Sequence, residues 1–179
     1  MTQIGNIYAQ GLYSLAKEES AEKAILDNMM VLENAFVQEP VFLRLLSSPN
    51  LSKDERCGII DKSFRERVHP YVLNFMKILT EKGYIRHFSD CVLAYKNQYN
   101  DDHGILPVKA VSAIALTEQQ IGKLTEKLVA ITGKQIDLTN KVDPQCLGGI
   151  RLDFDGKRID GTVRNRLDEI HHLLKNTVL

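Results

Sequence analysis

The chain has 179 residues, enough for one ordinary domain or two small ones, and its 44% hydrophobic content supports a true core. Lys+Arg and Asp+Glu both number 23, so no bulk charge draws it to nucleic acid or to anionic lipid. It has no apolar run of membrane-spanning length and no secretory start over residues 1–5, so a membrane role would come through partners.

The first predicted helix carries Ile4, Ile7, Tyr8, Gly11, Leu12 and Leu15 at three- and four-residue steps. Gly11 costs that helix roughly 1 kcal/mol against Ala, which leaves two readings: close packing on a helix of the same domain, or a partner surface. A second helix runs from about Ser20, a good cap, to about Gln38, with Ile25, Met29, Leu32 and Phe36 as its stripe. Met29 and Met30 suit adaptable core packing better than a cofactor box. Pro40 breaks the pattern, and a short helix through Phe42, Leu45 and Leu46 ends near Pro49. Ser52 caps the fourth helix, Glu55 completes a capping box, and Cys57, Ile59, Ile60 and Phe64 are its apolar members. The fifth covers about Pro70 to Glu81, with Val68 at its lip, Tyr71, Val72, Phe75, Ile78 and Leu79 along it, and Gly83 as C-terminal cap. A sixth places Ile85, Phe88, Val92, Tyr95 and Tyr99 on one side and ends by His103-Gly104.

From Ile105 the period changes to alternation through Leu106, Val108, Ala110, Ser112 and Ile114, with Pro107 near the start of the strand. Thr117 and Gln120 form a capping box for a helix with Ile121, Leu124, Leu128 and Ile131, which Gly133 stops. Ile136, Leu138 and Val142 form a second strand, Pro144 turns the chain, and Ile150, Leu152 and Phe154 form a third. Asp155-Gly156 suits a tight reversal, and a short return through Ile159 follows. Asp160 is then expected to cap a last helix with the stripe Val163, Leu167, Ile170 and Leu174. The expected class is α+β, mainly α: an N-terminal six-helix bundle over residues 1–104 and a small β-α-β-β-α domain over 105–179.

Local constellations for chemistry fail one by one. Thr132-Gly133-Lys134 lacks the Gly of a phosphate loop at Leu128 and its Ser or Thr at Gln135. Asp153, Asp155 and Gly156 lack the third ligand position and the distal Glu of a calcium loop. His171 and His172 point about 100° apart on a helix and cannot share a metal, whereas cations near a helix C-terminus suit its dipole. His69, His87 and His103 sit at element ends with no obvious carboxylate or Cys partner. Cys57, Cys91 and Cys146 are odd in number and far apart, which reads as reduced, buried thiols in a reducing, cytoplasmic compartment. Arg151, Lys157, Arg158, Arg164 and Arg166 are interrupted by Asp153, Asp155, Asp160 and Asp168, a salt-bridged surface or an anion site. Single-stranded nucleic acid would want more interleaved aromatics than Phe154. No catalytic residue, metal ligand or cofactor is assigned.

Four phrases carry a resemblance. Gly148-Gly149-Ile150, then Ile159-Asp160-Gly161-Thr162-Val163 and Arg166-Leu167, is similar to the C-terminal signature of the F-type ATP synthase delta subunit, the family of the mitochondrial oligomycin-sensitivity-conferring protein. The family usually has Ser where Thr162 stands. The string Tyr8-Ala9-Gln10-Gly11-Leu12-Tyr13-Ser14-Leu15-Ala16 resembles its opening motif, with Gly11 where a small residue is usual. Leu45-Leu46, Pro49, Glu55-Arg56 and Ile59-Ile60 resemble a third phrase, Arg56 standing where Lys is frequent. Asn74-Phe75-Met76-Lys77-Ile78-Leu79 with Lys82-Gly83 resembles a fourth, but Tyr84 replaces the usual Arg.

The resemblance implies a non-catalytic stator subunit of a proton-translocating F-type ATP synthase, one copy per complex, tying the catalytic head to the peripheral stalk and resisting rotor torque. It implies that a groove between the first and fifth helices holds the N-terminal helix of an alpha subunit. Tyr8, Gly11, Leu12, Asn74 and Ile78 are its candidate contacts, each with a second reading as core. The C-terminal unit would engage the C-terminal ends of the b subunits. Gly148, Gly149, Asp160, Gly161, Arg166 and Leu167 are expected there as fold-shaping signature residues. A start at Met1 without a transit-like leader reads as bacterial, peripheral at the cytoplasmic face of the cell membrane. By themselves the residues also leave room for a small cytosolic ligand-binding regulator with a helical relay domain. That alternative lacks a Gly-rich or polar constellation near its strand ends.

Overall fold

A computed structural model describes residues 2–167 of the chain. Its contacts divide it into two units, Met1–Tyr99 and Asn100–Leu179. The first unit is helical: α1 (Gln3–Glu18), α2 (Glu22–Gln38), α3 (Pro40–Leu46), α4 (Lys53–Phe64) and α5 (Pro70–Glu81) precede α6 (Phe88–Asp102), which a 3-10 turn at Ile85–His87 introduces. The last turn of α6, from Asn100, groups with the second unit.

Local chemistry sets most of these ends. The Ser52 hydroxyl accepts from the Glu55 N–H while the Glu55 carboxylate accepts from the Ser52 N–H at 2.8 Å, the reciprocal pair that the sequence announces. Arg56 ties the start of α4 to α3, its Nη1 donating to the Leu46 carbonyl at 3.3 Å. Pro40 does more than break α2, because it occupies the first turn of α3, where a missing N–H is harmless. At the end of α5 the Gly83 and Tyr84 N–H groups return to the Thr80 and Leu79 carbonyls, with Gly83 at φ +77°.

Ser20 departs from expectation. It is not the cap of α2; it sits at φ +52°, and its N–H and that of Ala21 bond back to the carbonyls of Lys17 and Ala16. The connection is so short that one residue must serve two helices, and closing α1 with two backbone bonds wins over capping α2 with one side chain.

The bundle core holds Ile25, Met29, Leu32, Leu46, Ile60, Met76, Leu79, Ile85, Phe88 and Tyr95, all essentially inaccessible. Side chains of this size contribute about 1.5–3 kcal/mol each when fully buried. Phe36 lies at the centre of an aromatic group, edge-on to Phe88 at 5.2 Å and stacked on Phe42 at 5.9 Å. Tyr95 buries its ring and donates its hydroxyl to the Glu22 carbonyl at 3.1 Å, and burial pushes the phenol pKa up.

In the second unit β1 (Ile105–Ser112), α7 (Glu118–Thr132) and β2 (Gln135–Val142) form a parallel crossover, followed by β3 (Ile150–Phe154) and β4 (Lys157–Asp160). The sheet order is β2-β1-β3-β4, with β3 antiparallel to both β1 and β4. Pro107 lies in a central strand, yet the pairing of β3 begins only at Lys109, so the ladder on that side loses no bond at Pro107. Leu106, Val108 and Leu128 are the buried centre, with Leu124, Ile136, Leu138, Leu152 and Phe154 packed on them.

Two boundaries differ from the reading of the sequence. The return after Asp155-Gly156 is a full strand, β4, because both turn residues take positive φ (+48° and +68°) and hold Phe154 opposite Lys157. Ile114 is exposed and lies outside β1, whose end is fixed by the Ser112 hydroxyl donating to the Ile114 carbonyl at 2.7 Å.

Candidate functional site

The two apolar faces of α1 create the site. Its buried residues are Gly5, Ala9, Leu12, Tyr13 and Ala16, a row of mostly small side chains that lets the helix lie close on its neighbours. The bulkier Ile7 and Leu15, which periodicity assigns to the inward stripe, are 62% and 49% exposed. They face α5 across a groove of about 460 Å3 lined by Ile7, Tyr8, Gly11, Leu12, Leu15, Tyr71, Asn74, Phe75 and Ile78.

All five residues that the sequence offers as groove contacts line this cavity. Leu12, only 5% exposed, and Phe75 form its floor, so Leu12 serves core and groove together. Ile78, 45% exposed, stands on the α5 wall near Asn74. Among the described residues, a Cβ built on Gly11 would meet nothing within 4 Å, so packing against them is not the reason for that glycine. Tyr84, in the place where the family phrase has Arg, packs its ring edge-on to Tyr8 at 6.0 Å. Ile7, Leu15, Tyr71 and Phe75 belong to the lining and escaped sequence reasoning as contacts, although all four appear in the helical stripes. Periodicity detects apolar residues without saying which of two neighbouring faces goes inward. The polar groups at the rim are few, and the Tyr71 hydroxyl is engaged with Glu19 at 3.2 Å. Such a surface is suited to being covered by an apolar helix face.

The signature of the second unit is a backbone clasp. The Gly161 N–H donates to the Ile150 carbonyl and the Val163 N–H donates to the Gly148 carbonyl, both at 3.0 Å, so the start of β3 is pinned to the start of the last helix. Gly149 has φ +77°, and a Cβ there would collide with the Gly161 carbonyl oxygen. Asp160 does not itself cap the helix. Its Oδ1 accepts from the Thr162 hydroxyl at 2.6 Å and from the Thr162 N–H at 3.0 Å, and Thr162 accepts from the Asn165 N–H at 3.2 Å. Asp160 lies two residues before Thr162, too early to reach the orphan N–H groups, so it orients the hydroxyl that does. Those bonds hold the Asp160 carboxyl below the usual carboxylate range. Arg166 and Leu167 are exposed in the described first turns, as is Val163; Ile170, His171, His172 and Leu174 lie outside the described residues.

The remaining candidates resolve into structure. Asp153 pairs with Arg158 at 2.8 Å and Arg151 at 3.4 Å, which makes that part of the basic zone a salt-bridged surface. Gly133 ends α7 at φ +67°, so Thr132-Gly133-Lys134 sits at a helix C-terminus, the wrong end to cradle phosphate. His87 has a carboxylate neighbour after all, its Nδ1 lying 3.5 Å from Asp90 Oδ2, one turn along the helix. Cys91 and Cys146 are buried and Cys57 partly so; burial pushes the Cys91 thiol up to about 11. Among the described residues no group of three or more His, Cys, Asp or Glu could hold a metal, and no helix is long and apolar enough to cross a membrane.

Comparison with known proteins places this geometry in a family. The family model for the ATP synthase delta (OSCP) subunit matches residues 4–174. The ATP synthase subunit delta of Alkaliphilus oremlandii is 33% identical over 172 residues, 96% of each chain. That of Clostridioides difficile is 31% identical over 176 residues, covering 98% of this chain and 97% of the relative. A chain in the cryo-EM structure of the Toxoplasma gondii mitochondrial ATP synthase hexamer superposes with a TM-score of 0.76 at 17% identity, covering 97% of this chain and 98% of that one, a likeness of fold. With a family match over nearly its whole length and close relatives of the same name, the chain belongs to the ATP synthase delta (OSCP) subunit family, whose members are structural rather than catalytic parts of the complex.

Proposed function

We propose that the groove between α1 and α5 holds the amphipathic N-terminal helix of an alpha subunit, and that the second unit engages the C-terminal ends of the b subunits. One copy of the chain thereby ties the catalytic head of a proton-translocating ATP synthase to its peripheral stalk and resists the torque of the rotor. Family membership makes the chain a peripheral part of a membrane-bound complex; we place it at the cytoplasmic face of a bacterial cell membrane.

The observation that carries the reading is the open apolar groove with Ile7, Leu15 and Ile78 between 45% and 62% exposed along its walls. Leaving such side chains in water is unfavourable, and covering them contributes roughly 25 cal/mol per Å2 before the costs of association are subtracted. Tight, purely apolar docking is what a stator requires, since it must hold without reacting.

The test is calorimetric titration of the full chain with a peptide of about twenty residues from the N-terminus of the cognate alpha subunit. Saturable one-to-one binding is expected. Ile78→Asp should weaken it by about a hundredfold, with helical content by circular dichroism unchanged because Ile78 is already half in water. Equal affinity in the variant would place the occupant elsewhere.

A further inference from the structure

We infer that Gly5 is a positioning residue for the groove, acting through its seat on Asp90; this rests on the groove being the alpha-helix site. Gly5 is buried, and a Cβ at that position would lie 2.8 Å from the Asp90 Cβ, 3.1 Å from its carbonyl carbon and 3.2 Å from its carbonyl oxygen. Two of those three atoms are backbone at the start of α6, so they cannot swing aside. The absence of a side chain therefore sets how closely α1 approaches α6 at this end.

Two further contacts define the seat. The Thr2 hydroxyl donates to Asp90 Oδ2 at 2.8 Å and also accepts from the Gly5 N–H at 3.3 Å, joining the cap of α1 to the first turn of α6. Farther along, the Tyr13 ring meets Tyr95 edge-on at 5.1 Å, a second point where α1 rests on α6. The wall residues Ile7, Tyr8, Gly11 and Leu12 all lie between these two supports. A rigid helix held at two points has its wall height fixed between them, and lifting one support tilts the wall relative to α5. Gly5 touches no occupant; it places the side chains that do.

The experiment compares wild type, Gly5→Ala and Gly5→Ala/Asp90→Gly, each as the full chain, in peptide affinity and in isoleucine methyl spectra. Gly5→Ala is expected to weaken binding by about tenfold and to shift the methyl resonances of Ile7 and Ile78 while leaving those of Ile25 and Ile60 in place. Removing the facing Cβ in the double variant should recover part of the affinity. Wild-type affinity in Gly5→Ala, or methyl shifts spread equally to Ile25 and Ile60, would overturn the inference, the second because it marks a bundle-wide defect. If Gly5→Ala does not fold, the double variant decides: its methyl group still presses on the Asp90 backbone, so wild-type affinity there overturns the inference and reduced affinity supports it. Failure of the wild-type chain to bind the peptide is a separate result, and it removes the groove reading itself.

Discussion

At the scale of single residues, glycines separate structural from partner-facing roles. Gly149 is required by the fold, since a side chain there would strike the Gly161 carbonyl oxygen. Gly161 is tightly placed, with the Ile150 carbonyl oxygen 3.1 Å from where its Cβ would stand, and Gly5 is required by the seat of α1. Gly11 is different: no described residue lies within 4 Å of where its Cβ would stand, and it weakens a helix that Ala would strengthen. Gly11→Ala is therefore expected to raise stability by roughly 0.5–1 kcal/mol, seen as a higher melting temperature. The same methyl group enters the groove and should lower affinity for the alpha peptide by about tenfold. Opposite signs in the two measurements distinguish a partner contact from a packing position, and unchanged affinity would return Gly11 to an unexplained helix residue.

At the scale of elements, hydrogen bonds to carboxylates make the clasp of the second unit pH-dependent. Bonds from the Thr162 hydroxyl and N–H lower the Asp160 pKa, and the Arg158 guanidinium lowers that of Asp153. A carboxyl whose folded pKa lies below its unfolded value stabilises fully above the unfolded value. That contribution is lost as pH falls through the folded one. The melting temperature of the full chain should thus drop as pH falls below about 4. In Asp160→Asn, which keeps an acceptor for Thr162 but does not titrate, the drop should be shallower. An identical pH profile would show that the Asp160 bonds persist in the unfolded chain or contribute nothing.

At the scale of the molecule, the groove and its supports lie in the first unit. Its lining runs from Ile7 to Ile78, and the seats of α1 reach from Thr2 to Tyr95. A fragment of residues 1–104, which keeps α6 whole to Asp102, is expected to bind the alpha peptide with the affinity of the full chain by calorimetry. A fragment ending at Tyr99 would cut the last turn of α6 and should melt lower. Loss of binding in the longer fragment, with helical content retained, would mean that the second unit supplies part of the site.

The sequence alone determined the elements. Apolar period, the Ser52–Glu55 and Thr117–Gln120 boxes, and glycines at helix ends are local signals, decided by residues within a turn of one another. The Asp155-Gly156 reversal was equally local, and with it the hairpin of β3 and β4. Tertiary structure decided what these signals leave degenerate. Ser20 could end α1 or begin α2, and the short connection chose. Asp160 could cap the helix or support the cap, and its place two residues before Thr162 chose. Most consequentially, α1 has two apolar faces, and hydrophobicity does not rank them. The small side chains of Gly5, Ala9 and Ala16 fit where helices meet, so that face turned inward. Ile7 and Leu15 were left on the other face, beside α5, and the groove is the space between them.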